Sequence, residues 1–142
     1  MKYIDENDLA SVIQERFLDE SIANIAQNND ILNNIESKAI DYAISYISTR
    51  YNTDVIFSEE TPLRSPILCQ IIAQIVVFRA VRRNPARKVP DDYVNMFNDA
   101  TRQLERIQTG AMKLVGMPLI TDDAGNTTPL MWGNSTNQNF YI

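Results

Sequence analysis

Residues 66–83 read "PILCQIIAQIVVFRAVRR", and before Arg79 the only polar breaks are Gln70 and Gln74, one turn apart. Ser65 and Pro66 suit a cap and a first-turn proline, while Pro85 biases Asn84 away from helical dihedrals. The segment therefore predicts a helix that stops near Arg83. A helix that is apolar nearly all the way round has no face to give to water and belongs at the centre of a bundle. The run from Ile67 to Phe78 falls short of the ~20 residues a membrane span needs. No membrane partner is expected, and the rest of the chain must supply the helices that cover this one.

Those helices can be read on either side. In "IDENDLASVIQERF", residues 4–17, Asp5 suits an N-cap and Asp8 stands near the capping-box position, with Ile4 and Leu9 as a hydrophobic staple. Leu9, Val12, Ile13 and Phe17 share one helical face. Ile22 and Ile25 suggest a second short helix before "QNND". From Asn29 or Asp30, the positions Leu32, Ile35, Ala39, Tyr42 and Tyr46 repeat at three and four, widened by Ile40, Ala43, Ile44 and Ile47. That pattern predicts a long helix reaching about Tyr51. Residues 52–64, "NTDVIFSEETPLR", read as a connecting loop with room for a brief strand at residues 55–57. Pro90, Asp91 and Asp92 open a last helix in which Tyr93, Phe97, Ala100, Leu104 and Ile107 share a face and Gly110 terminates it. The expected fold is all-α, a small helical bundle of three long helices and one or two short N-terminal ones. Residues 1–115 form the bundle and residues 116–142 an extended C-terminal arm.

At 142 residues the chain has the length of one domain. It has no histidine, which removes the commonest general base and the commonest metal ligand. Its four glycines make no phosphate-cradling pattern. Cys69, the single cysteine, sits inside the apolar run and reads as a small buried hydrophobe in a chain suited to a reducing compartment. The first residues, "MKYIDENDL", turn acidic at once, so no signal peptide is expected. Neither an enzyme nor a cofactor is expected.

Two features remain. The chain has a net charge of −5, yet Arg79, Arg82, Arg83, Arg87 and Lys88 gather in one short segment. They suit a phosphate contact, a helix end meeting the acidic start of the next helix, or an edge against a neighbouring subunit. Cations in a last helical turn complement the helix dipole, and Arg87 and Lys88 can pair with Asp91 and Asp92. Nucleic-acid binding predicts a basic face overall, whereas twelve acidic residues precede Arg79 against five basic ones. A small nucleic-acid-binding or regulatory protein using residues 79–88 is the alternative reading.

The second feature is the arm, "GMPLITDDAGNTTPLMWGNSTNQNFYI", which has no basic residue. Leu119, Ile120, Leu130, Met131, Trp132, Phe140, Tyr141 and Ile142 are a heavy apolar load for a free tail, since disorder favours the opposite composition. The segments around "DDAGN" can form a β-hairpin with Gly125 in the turn, and Asp122 and Asp123 read as part of that turn rather than as a metal site. The apolar load can bury against the chain's own bundle or against a partner, and the partner is favoured, with Trp132 as an anchor.

Four pieces in order carry a resemblance: "YIDENDL" at 3–9, "AIDYAISYISTRY" at 39–51, "LCQIIAQIVVFRAVRR" at 68–83 and "FNDATRQLERIQTG" at 97–110. Together they resemble the tailed-phage head–tail connector proteins, also called adaptor or head-completion proteins, including the Mu-like branch. The resemblance covers roughly the first 115 residues and implies a structural virion protein without enzymatic activity. It implies a homo-oligomeric ring, twelve-fold by family habit, that sits below the portal protein, meets stopper or tail proteins and lets genomic DNA pass without tight binding. The subunit is then expected in the host cytoplasm during assembly and in the virion afterwards. By the same analogy Pro118, Leu119, Ile120, Leu130, Met131, Trp132, Phe140 and Tyr141 contact portal or neighbour. Arg79, Arg82, Arg83, Arg87 and Lys88 pair with the next subunit or line the channel. The arm matches no motif of the family, so its docking role rests on composition and on the family's extended C-terminal arms.

Overall fold

The computed structural model describes residues 2–13, 29–83 and 88–120. Its elements are α1 (Glu6–Val12), α2 (Asn29–Ile47), α3 (Thr53–Ile56), α4 (Pro66–Arg82) and α5 (Asp91–Thr109). The architecture is a small all-α bundle, as the periodicity predicts. The second short helix expected around Ile22 and Ile25 lies outside the described residues.

Helix α4 is the axis of the bundle and packs against α1, α2 and α5, while α2 and α5 also pack against each other. Its buried residues include Leu68, Ile71, Ile72, Ile75, Val76 and Val77. A fully buried isoleucine contributes about 1.5–3 kcal/mol, so Ile71, Ile72 and Ile75 together supply about 4.5–9 kcal/mol of the gross packing energy. Pro66 occupies the first turn as expected, but Ser65 makes no side-chain cap bond. Its backbone N–H points to Tyr3 Oη at 3.5 Å instead.

Helix α1 begins with the expected reciprocal box. Asp5 Oδ1 accepts the Asp8 N–H and Asp8 Oδ2 accepts the Asp5 N–H, both at 2.9 Å. Ile4 and Leu9 are both buried beside it. Helix α5 buries Ala100, Leu104 and Ile107 on one side, and Gly110 closes it in the left-handed region at φ 86°.

Two expectations change. Helix α2 ends at Ile47, and a turn carries the chain to Arg50. Residues 53–56 form one helical turn rather than a loop or strand, because Asn52 Oδ1 accepts the Val55 N–H and caps it. Ile56 is thereby delivered fully buried into the core.

The N-terminus is held by a charge. Glu36 on α2 is 2% exposed, and its carboxylate accepts the backbone N–H groups of Lys2 at 2.7 Å, Tyr3 at 2.8 Å and Ile4 at 2.9 Å. Tyr3 in turn donates its hydroxyl to the Leu63 carbonyl at 2.8 Å and packs its ring 4.8 Å from that of Phe57. The segment before α1 thus ties α2 to the loop that precedes α4.

Candidate interaction site

The last turn of α4 carries Arg79 and Arg82, and Arg83 is its C-cap. Arg79 is part-buried, with its guanidinium carbon 5.7 Å from the centre of the Tyr42 ring. A cation over an aromatic face at an exposed site gains about 0.5–1 kcal/mol, enough to hold one side chain in place. Arg82, Arg83 and Lys88 are exposed. Among the described residues none of these four cations has a carboxylate within ion-pair distance. The pairing expected between Lys88 and Asp91 or Asp92 is therefore not made, and Arg87 lies outside the described residues. The helix end accounts for the position of Arg79 and Arg82, and it leaves three cations pointing into solvent.

Beside them an aromatic row crosses three helices. Phe78 of α4 stacks on Phe97 of α5 at 4.4 Å, Phe97 stacks on Tyr42 of α2 at 5.9 Å, and Tyr42 meets Tyr46 edge to face at 5.3 Å. Tyr42 Oη lies 3.1 Å from Thr101 Oγ1 and 3.3 Å from Tyr46 Oη. The hydrogen bond with Tyr42, and then burial, pushes the Tyr46 phenol up to about 12. Aromatic and arginine side chains together are the composition of protein-binding surfaces. Helical spacing shows that Tyr42, Tyr46 and Phe97 face inward on their own helices. It does not show that they stack on one another or that Arg79 lies over Tyr42.

The second candidate is the root of the arm. Beyond Gly110 the chain turns back, with Met112 N–H on the Arg106 carbonyl at 3.1 Å. Tyr51 is buried, and its Oη accepts the N–H of buried Leu114 at 2.9 Å. After Gly116, also left-handed at φ 78°, residues 118–120 run antiparallel to residues 50–52. Asn52 N–H bonds the Pro118 carbonyl at 2.9 Å and Ile120 N–H bonds the Arg50 carbonyl at 3.1 Å. The backbone of Pro118, Leu119 and Ile120 is thus engaged by the chain's own bundle. The Leu119 side chain remains 42% exposed, and Val115 beside it 89%. Leu130, Met131, Trp132, Phe140, Tyr141 and Ile142, the Gly125 turn, Asp122 and Asp123 lie outside the described residues.

Among the described residues no group of three His, Cys, Asp or Glu side chains is placed to hold a metal, and no helix is long and apolar enough to cross a membrane. The buried Cys69 thiol is pushed up by burial, so it is a poor nucleophile where it stands. What the site can do chemically is bind a surface through aromatic, aliphatic and cationic side chains.

In comparison with known proteins, residues 3–128 match the model of a family described as Bacteriophage Mu, Gp36. No curated protein and no solved structure matches the chain.

Proposed function

Since the chain belongs to the bacteriophage Mu Gp36 family, we propose that this phage protein is a head–tail adaptor, a structural subunit that assembles into a ring below the portal and joins the capsid to the tail. The observation that carries the reading is the reach of the family match, which runs through the whole bundle and past the arm root to residue 128. The bundle forms the wall of the ring, and the segment that leaves Ile120 supplies the docking arm. Pro118–Ile120 anchor that arm on residues 50–52, so that the apolar residues downstream start from a fixed point. Anchoring of this kind lowers the entropy lost when an arm orders on its partner.

Arg82, Arg83 and Lys88 face either the next subunit or the channel. Weak copy–copy contacts made many times in a closed ring give a firm assembly without a strong pairwise interface. The overall negative charge suits a channel through which DNA must slide rather than stick.

Deletion of residues 121–142 tests the arm. The truncated chain keeps the Tyr51–Leu114 and Asn52–Pro118 bonds, so it folds, and it is expected to be missing from purified particles. Incorporation at the normal level would remove the docking role. The rival reading, an autonomous nucleic-acid binder, predicts DNA affinity that falls steeply with salt and is lost on charge reversal at Arg82 and Arg83. The adaptor reading predicts no measurable binding of duplex DNA by the isolated chain at physiological salt.

A further inference from the structure

The short ribbon at the arm root has a second edge. The bonds from the Asn52 N–H to the Pro118 carbonyl and from the Ile120 N–H to the Arg50 carbonyl flank Tyr51 and Leu119, which makes those two a facing pair that does not itself bond. In such a pair the backbone groups point apart, so the N–H and carbonyl of Leu119 look away from residues 50–52. Among the described residues neither has a partner. The Leu119 side chain is 42% exposed, on the same face as buried Tyr51. The edge begins at Leu119, since the Met117 N–H is taken by the Leu114 carbonyl at 3.3 Å. An unpaired edge carrying an apolar side chain is a place where another strand adds.

The stretch that follows can supply that strand. The described residues end at Ile120, on the edge itself, and the chain continues to Ile142. The internal stretches join the bundle elsewhere: residues 84–87 lie between Arg83 and Lys88, and residues 14–28 lead into Asn29. Both points stand a helix length, about 28 Å, from this end of the bundle along α5 and α2. Residues 127–132 read "TTPLMW", separated from Ile120 by "TDDAGN", whose Gly125 suits a turn.

Pro129 restricts the register. In an antiparallel strand on this edge, the residues opposite Leu119 and Thr121 must each give an N–H, whereas the residue opposite Ile120 turns its nitrogen to solvent. Proline has no N–H to give, so it fits opposite 118, 120 or 122 and not opposite 119 or 121. Opposite Ile120 it sets Leu130 against Leu119 and Thr128 against Thr121, an apolar and a threonine pair of the kind that stabilise a sheet. In every allowed register Leu130 and Trp132 share the face of Tyr51 and Leu119, and Met131 takes the other.

We propose that residues 128–131 fold back as a third antiparallel strand on the outer edge of Pro118–Ile120 of the same chain, with Pro129 opposite Ile120. The strand gives Leu119 both its backbone bonds, covers its side chain with Leu130 and brings Trp132 beside Met117, which packs against the core. The connection through residues 122–127 is short, so the chain's own segment reaches the edge ahead of any other copy's. Leu130 and Trp132 are then committed to the chain's own bundle, which leaves Met131, Phe140 and Tyr141 for a partner. The inference concerns the isolated chain and does not rest on the adaptor reading.

Nuclear magnetic resonance of the full chain at low and high concentration tests it. Expected are a contact between the α-protons of Ile120 and Pro129, the mark of a facing pair that does not bond, and slow hydrogen exchange at the Leu119 amide, both independent of concentration. Leu130→Pro removes the donor opposite Leu119 and is expected to speed that exchange about ten-fold or more. It should also shift the emission of Trp132, the single tryptophan, toward that of a water-exposed indole. Pro129→Ala, on the outward side, is expected to do neither. Fast exchange at Leu119 in the wild-type chain would overturn the proposal, as would a missing Ile120–Pro129 contact or equal behaviour of the two variants. Protection that grows with concentration would overturn it too, because the strand would then come from another copy. The adaptor reading survives each of these results and fails instead if particles lack the chain.

Discussion

Glu36 Oε1 lies 2.8 Å from the backbone nitrogen of Tyr3, across 33 residues of sequence, and the same oxygen also accepts from Ile4. Glu36 is the one charged side chain in the core among the described residues. It is compensated by three backbone donors rather than by a cation. Glu36→Ala leaves buried N–H groups without acceptors and is expected to cost about 2–4 kcal/mol, with Glu36→Gln costing about half of that. Urea unfolding of the two variants checks the order, and equal stability of wild type and Glu36→Ala would remove this account of the N-terminus.

Tyr51 sets the arm root in the same way. Tyr51→Phe removes the acceptor for the buried Leu114 N–H and is expected to cost about 1–2 kcal/mol. The local signature is sharper than the global one. Hydrogen exchange at the amides of Asn52, Leu114 and Ile120 should accelerate while the middle of α4 stays protected.

Gly110 is required by its backbone, and a Cβ there would also have to displace the tip of one flexible side chain. It sits at φ 86°, and a Cβ built there would fall 1.9 Å from Arg50 Nη1. Gly110→Ala is expected to cost about 1–2 kcal/mol from backbone conformation alone, with a further loss from displacement of the Arg50 guanidinium. Adding Arg50→Ala should recover the second part and not the first. A double-mutant cycle with no coupling between the two positions would contradict the close approach.

Alkaline pH should unfold the bundle through its tyrosines. Burial pushes the Tyr3 phenol up from 10.0 to about 12, and the bond to Tyr42 does the same for Tyr46. A phenol held protonated by the fold favours the folded state fully below pH 10, and that contribution is lost as pH climbs from about 10 toward about 12. Ultraviolet titration of the six tyrosines should therefore show a late phase that loses one group in Tyr3→Phe. A single phase centred on the ordinary tyrosine value would refute it.

What the sequence makes legible follows from the range of the interactions. The Asp5–Asp8 box, the Pro66 start and the Gly110 stop are set by residues three or four apart, and all three appear where local rules place them. So does the burial of α4 on every side but that of Gln70 and Gln74, the only polar breaks in its apolar run. Glu36 could not be read in this way. On α2 it stands within the apolar stripe, four residues after Leu32 and four before Ile40, so spacing marks its burial, but its partners stand more than thirty residues away as backbone groups, which carry no sequence signature. Tyr51 with Leu114, and residues 50–52 with 118–120, are paired across a gap about twice as wide. The turn at residues 53–56 is different, since Asn52 announces it. The apolar run Val55, Ile56 and Phe57 draws attention away from that cap and toward a strand.

The adaptor reading is tested most directly by cryo-electron microscopy of the particles of the phage that encodes this chain, with the bundle fitted to the density between capsid and tail. The account predicts a ring of copies directly below the portal, each with the segment beyond Ile120 running onto portal or a neighbouring copy. Density for the chain elsewhere in the particle, or particles that lack the chain altogether, would contradict it.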